Sequence, residues 1–128
     1  MGGFIVDNLN ETHILDEMAR IGFVKDLEIY VYSNDPGKIP HFHIRDKETN
    51  GQRFHTCVRM DKAEYFHHTG KMDVLNSQQK KALVSFLQSQ YKRGFFSNWV
   101  HAIILWDDNN SDVEIDLDTP MPDYTKLQ

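Results

Sequence analysis

The sequence predicts an α+β domain: a four-stranded antiparallel meander with helices packed on one face, an N-terminal helix and an extended C-terminal arm. Three observations carry that reading. Residues 27–68 hold four segments that alternate apolar and polar side chains and are joined by short polar links, as consecutive strands of a meander do. Residues 76–110 then switch to apolar spacings of three and four, the helical period. Beyond residue 110, Pro120 and Pro122 exclude a helix while Val113, Ile115 and Leu117 alternate with acids.

Taken in order, Asn10–Arg20 predicts a short helix, with Asn10 as cap, Ile14, Leu15 and Met18 as its stripe, Arg20 in the last turn and Gly22 as its stop. Leu27–Ser33 alternates cleanly and predicts the first strand. Asn34-Asp35-Pro36-Gly37 supplies a turn. The central strand starts at Pro40, whose fixed φ and missing donor suit a strand's first position. After it, His41, His43 and Arg45 project to one side and Phe42 and Ile44 to the other. Arg53–Met60 is the third strand. Ala63–His68, closed by Thr69-Gly70, is the fourth.

Symmetric loops set an expected register. Tyr32 faces His41, Tyr30 faces His43 and Glu28 faces Arg45. Across the next hairpin His43 faces His55 and His41 faces Cys57. In the last, Arg59 faces Glu64 and His55 faces His68. This pairing keeps Ile29, Val31, Phe42, Ile44, Phe54, Val58, Met60 and Tyr65 on one apolar face. Asn76 with Gln79 predicts a capped helix carrying Ala82, Leu83, Phe86, Leu87 and Tyr91, with Gly94 as its stop. Ser97 caps a second helix, with Trp99, Val100, Ile103, Ile104 and Trp106 apolar, ending at Asn109-Asn110. The expected core between sheet and helices includes Phe42, Ile44, Val58, Phe86, Leu87 and Ile103.

A length of 128 residues fits a single domain, 1–128. Forty per cent hydrophobic and 26 per cent charged residues exclude wholesale disorder. No apolar run approaches the roughly 18 residues of a membrane helix, and the start has no basic segment followed by an apolar one. The expected setting is cytoplasmic, without membrane attachment. One cysteine, Cys57, excludes an internal disulfide and a multi-cysteine zinc site. Seven acids and no base fall within residues 107–125, against 12 acids and 13 bases over 1–106. The body is neutral and the tail, 111–128, is acidic, which disfavours nucleic acid as a partner of the whole surface.

Chemistry gathers on the polar side of the sheet. His41, His43, His55 and His68 share it in the expected register, and histidines at i and i+2 with a third across a rung suit a divalent, zinc-like ion. Three protein ligands leave a position for water, whose pKa such an ion lowers. The plainer account is a polar face of mutually hydrogen-bonded His and Tyr. Arg45, Arg53, Arg59 and Lys62 form a candidate phosphate strip, with Tyr30 and Tyr32 able to stack a base, although Glu28 and Glu64 face two of those arginines and cross-strand pairing explains them more economically. Cys57 between histidines is a candidate nucleophile, but a single thiol in a strand is more often packing. No serine–histidine–aspartate order and no glycine-rich phosphate loop is present.

Tyr30–Ser33, the Asn34-Asp35 turn, Pro40-His41-Phe42-His43-Ile44, a following strand and helix, and Asn98-Trp99 together resemble a bacterial family of small domains, a domain of unknown function numbered four-one-six-zero. The likeness spans about residues 27–100, and the Pro-His-Phe-His-aliphatic run is its distinctive part. One proline precedes His41 where the family has two, the segment 61–73 is longer, and residues 1–26 and 101–128 are additional. Members are often predicted in gene pairs of suspected toxin–antitoxin character, so the resemblance implies a protein partner.

Two functions are expected from these residues. The favoured one is a non-enzymatic partner-binding protein that docks another protein, or a second copy of itself, through His41, His43, Tyr30, Tyr32 and Arg45 or through the acidic arm, and needs no cofactor. The other is a metal-dependent hydrolase or nuclease with His41, His43, His55 and His68 as ligands. The partner-binding reading leads because Glu28 and Glu64 both face arginines, which leaves no carboxylate placed as a general base.

Overall fold

A computed structural model of the chain describes residues 18–32, 39–67 and 72–128. Four strands, β1 (Met18–Val24), β2 (Leu27–Tyr32), β3 (His41–Asp46) and β4 (His55–Arg59), form one antiparallel sheet in the order β1-β2-β3-β4. Two helices, α1 (Ser77–Gln88) and α2 (Asn98–Asn109), cover one face. This is the α+β meander expected, but its four strands are not the expected four.

The first strand is the main correction. Met18–Arg20, read as the end of a helix, is extended and paired with Tyr30–Tyr32, and the rest of that expected helix lies outside the described residues. A register shift between Arg20 and Gly22 explains the misreading. A bulge inserts one residue and breaks the alternation that betrays a strand, while the expected helix rests on Asn10, Ile14, Leu15 and Met18, of which only Met18 is among the described residues. Gly22 is no helix stop either. A Cβ there would lie 2.3 Å from the Phe86 ring, so the glycine lets α1 pack onto the strand backbone.

At the other edge, the expected strand 63–68 reduces to a bridge between Val58 and Tyr65, flanked by Arg59 N–H to Glu64 O and Phe66 N–H to Cys57 O. The chain later returns to the same edge, where Asp73 N–H donates to His55 O. His68, Thr69, Gly70 and the Asn34–Gly37 turn lie outside the described residues.

Glu28 faces Arg45 and Tyr30 faces His43, as the alternation implied. Across β3 and β4 the partners are His41 with Arg59, His43 with Cys57 and Arg45 with His55. That ladder is offset by two residues from the expected one because the loop between Asp46 and His55 is longer than a symmetric 46–52 turn. The Asp46 carboxylate gathers Thr49 N–H, Thr49 Oγ1–H and Phe54 N–H at 2.8, 2.5 and 3.1 Å, and Asn50 and Gly51 turn through positive φ. An even offset leaves every side chain on its expected face.

The capping box between Asn76 and Gln79 and the Ser97 cap are both present. α1 nevertheless stops at Gln88, short of Gly94, because Asn98 binds its C-terminus: Asn98 Nδ2 donates to Phe86 O and Asn98 N–H to Ser89 O. Tyr91 consequently lies beyond the helix. Phe42, Ile44, Val58, Leu87 and Ile103 are buried in a common core with Trp106, while Phe86 packs partly exposed at its margin. The arm lies irregularly along its own domain, pinned by Trp106 Nε1–H to Val113 O, Trp99 Nε1–H to Thr119 O and buried Tyr124, whose hydroxyl donates to Arg59 O at 2.6 Å. No helix among the described residues is long and apolar enough to cross a membrane.

Candidate metal centre

Strand alternation delivers Glu28, Tyr30 and Tyr32 from β2, His41, His43 and Arg45 from β3, and His55, Cys57 and Arg59 from β4 to the face away from the helices. This face is largely hidden: Tyr30, His41, His43 and Cys57 are at most 3% exposed. Burying so many polar groups is tolerable only where they satisfy one another.

At one end they do so by ion pairing. Glu28 accepts from Arg20 Nε at 2.6 Å and from Arg45 Nε at 3.0 Å. Burial works against the Glu28 charge, but those two hydrogen bonds overcome it and hold the carboxyl below its usual range. Arg45 also suffers desolvation, and its bond to Glu28 keeps it charged. Its guanidinium stacks on the Tyr30 ring at 4.8 Å. Burial pushes the Tyr30 phenol far up, so it stays protonated.

In the middle of the face, three ligand atoms meet. His43 Nδ1 lies 3.1 Å from Cys57 Sγ and 3.2 Å from His55 Nε2, and all three atoms fall within 4.8 Å of one another. His43 is clamped for this: Tyr30 stacks on its ring at 5.1 Å, Tyr32 abuts it edge-on at 4.8 Å and His55 stacks at 5.4 Å. An unprotonated imidazole nitrogen offers one in-plane lone pair and a protonated one a single hydrogen. His43 Nδ1 therefore cannot make two full hydrogen bonds to these neighbours, whereas one cation serves all three atoms. A tetrahedral zinc site needs N···N near about 3.3 Å and N···S near about 3.5 Å from its bond lengths, within about half an ångström of the two contacts seen.

The triad combines two of the expected ligands, His43 and His55, with Cys57. His41 does not join it: its Nδ1 lies 2.6 Å from Ile39 O and its ring contacts Phe66 and Trp106. His68 is outside the described residues. Cys57 is fully buried, which suits a ligand. Of the expected phosphate strip, Arg59 is turned onto Asp61 and Lys62 onto Glu64. Arg45 and Arg53 instead line a cavity of about 540 Å3 with Tyr30, Tyr32, Asn50, Gln52, His55 and Asp73.

Asp73 is the residue that sequence reasoning missed. Its Oδ2 accepts from His55 N–H at 3.0 Å while its own N–H donates to His55 O at 2.9 Å. It sits in an irregular segment with no periodicity to announce it. Only the return of the chain to the β4 edge brings a carboxylate beside His55.

Compared with family models, curated proteins and solved structures, the chain matches none. The family likeness therefore stays a resemblance of short motifs, and functional argument comes from the site.

Proposed function

We propose that the protein is a small metal-dependent hydrolase in which His43, His55 and Cys57 hold a zinc-like ion. The observation that carries the reading is the grouping of His43, His55 and Cys57, whose ligand atoms all lie within 4.8 Å of one another. Three ligands leave a fourth tetrahedral position for water, and a bound zinc lowers the pKa of that water to about 7. Asp73, in the cavity that His55 also lines, is suited to take the water's proton. Such an ion would supply an activated water for attack on an ester, and Asp73 would hold the proton and return it to the leaving group.

Two features support this over docking of a protein through the same face. A docking surface must be exposed, and His41, His43 and Tyr30 are buried. A general base, lacking in the sequence reading, is available in Asp73. The acidic arm, the other expected docking element, packs Val113, Ile115, Met121, Tyr124 and Leu127 against its own domain and leaves Leu117 exposed.

Metal analysis of protein purified without a His-tag tests the proposal. About one equivalent of zinc or a related divalent ion is expected, dropping at least tenfold in His55→Ala, a change at a half-buried position of the edge strand. Protein that stays metal-free after incubation with zinc, cobalt and manganese sinks the reading.

A further inference from the structure

We propose that the cavity beside the triad binds phosphate esters through Arg45 and Arg53, which assigns the substrate class of the hydrolase. The reaction rests on the metal reading; the binding does not. The cavity's volume, about 540 Å3, lies within the range of small-molecule sites. Its charged lining is two guanidiniums against one carboxylate, Asp73, which is already engaged by His55 N–H.

Arg45 is held for this purpose from several sides. Nε is fixed by Glu28 at 3.0 Å, Nη2 points to the Met18 thioether at 3.5 Å, and the plane stacks on Tyr30. A thioether is a weak acceptor, so the guanidinium keeps donor capacity for an anion. Glu28 does not cancel the charge, because its single carboxylate serves both Arg20 and Arg45. Gly51 belongs to the same arrangement. It sits at φ +91°, a backbone conformation that favours glycine, and lies against the Arg45 stem.

Arg53 approaches from the loop itself. Its side chain is 71% exposed and its partner, Glu48, is 78% exposed at 3.3 Å, a surface pair that an anion displaces at little cost. Loop backbone donors are already spent: Thr49 and Asn50 N–H bond Asp46 and Lys47, Gly51 N–H bonds Asp46 O, and Arg53 N–H bonds Thr49 Oγ1. Recognition therefore falls to side chains, the two arginine forks and the Asn50 and Gln52 amides. So many donors match the three oxygens of a phosphate monoester better than the two of a carboxylate.

The experiment is titration of inorganic phosphate, with acetate as the carboxylate control, into chelator-stripped and zinc-supplemented protein. Phosphate is expected to bind the stripped protein. Arg45→Gln is expected to weaken it about 10-fold or more, as for loss of a charge-assisted hydrogen bond. Arg53→Gln, at an exposed position that does not threaten folding, is expected to weaken it about 3- to 5-fold, and added salt to weaken it further. Arginine-dependent binding in protein that never takes up metal upholds the cleft and removes the hydrolase. Phosphate bound only with zinc and indifferent to both substitutions places it on the metal and overturns the cleft. Absence of phosphate binding, or equal binding of acetate, overturns the assignment of phosphate.

Discussion

On the helix-covered face of the sheet, Ile29, Val31, Phe42, Ile44 and Val58 are at most 1% exposed. On the opposite face Glu28, Tyr30, His41 and Cys57 are at most 2% exposed. Burial is the same and the chemistry is opposite. The apolar face needs only shape and volume, because dispersion and the hydrophobic effect are non-directional. The polar face needs each group aimed at a partner, so Glu28 takes two arginines and His43 lies between two tyrosines and His55. The faces should therefore fail differently: one by degrees of volume, the other by single lost partners.

The largest expected effect is on the apolar face. Phe42 is fully buried and meets Tyr124 edge-on at 5.8 Å. Phe42→Ala should lower the unfolding free energy by about 3–5 kcal/mol, read by denaturant titration. A variant that unfolds like the parent would show that this face is not the one holding the domain together.

Next comes Glu28, where the comparison is sharpest. Glu28→Ala leaves half-buried Arg45 without its anion, at a cost of about 2 kcal/mol. Acid should reach the same pair. A carboxyl held below its unfolded value, 4.5 for Glu28, stabilises the fold above that value and loses the contribution as pH falls through the folded one. Asp46, held down to about 2 chiefly by the Thr49 hydroxyl and also by backbone donors, adds a second loss between about pH 4 and pH 2. Stability measured down that range should decline in the parent and more shallowly in Glu28→Ala. A flat parent profile would remove the ion pair from the account.

The smallest effect has the opposite sign. Thr56 lies on the apolar side of β4, opposite Ile44, and its buried hydroxyl has no hydrogen-bond partner among the described residues. Thr56→Val keeps the shape and removes the desolvated oxygen, so stability should rise by up to about 1 kcal/mol. A clear loss on thermal melting would mean that the hydroxyl is satisfied and the two faces are less distinct than described.

By itself the sequence determined the class of fold, the sidedness of β2, β3 and β4, both helix N-caps and the residues of the apolar face. These are properties of local period and cap chemistry, and a strand shows its two sides whether or not its partner is known. The pairing of Glu28 with Arg45 was readable for the same reason. Tertiary structure alone decided the rest. The bulge after Arg20 hid β1, because one extra residue destroys the period that identifies a strand. Asn98 ended α1 from outside that helix. The long Asp46 loop moved the ladder by two residues, which kept the faces but exchanged neighbours, so that Cys57 rather than His55 came opposite His43. Asp73 reached His55 only when the chain returned to the sheet edge. A site made of convergent atoms depends on which residues are neighbours, and neighbours across strands are set by loop geometry and long-range packing, which leave no period in the chain.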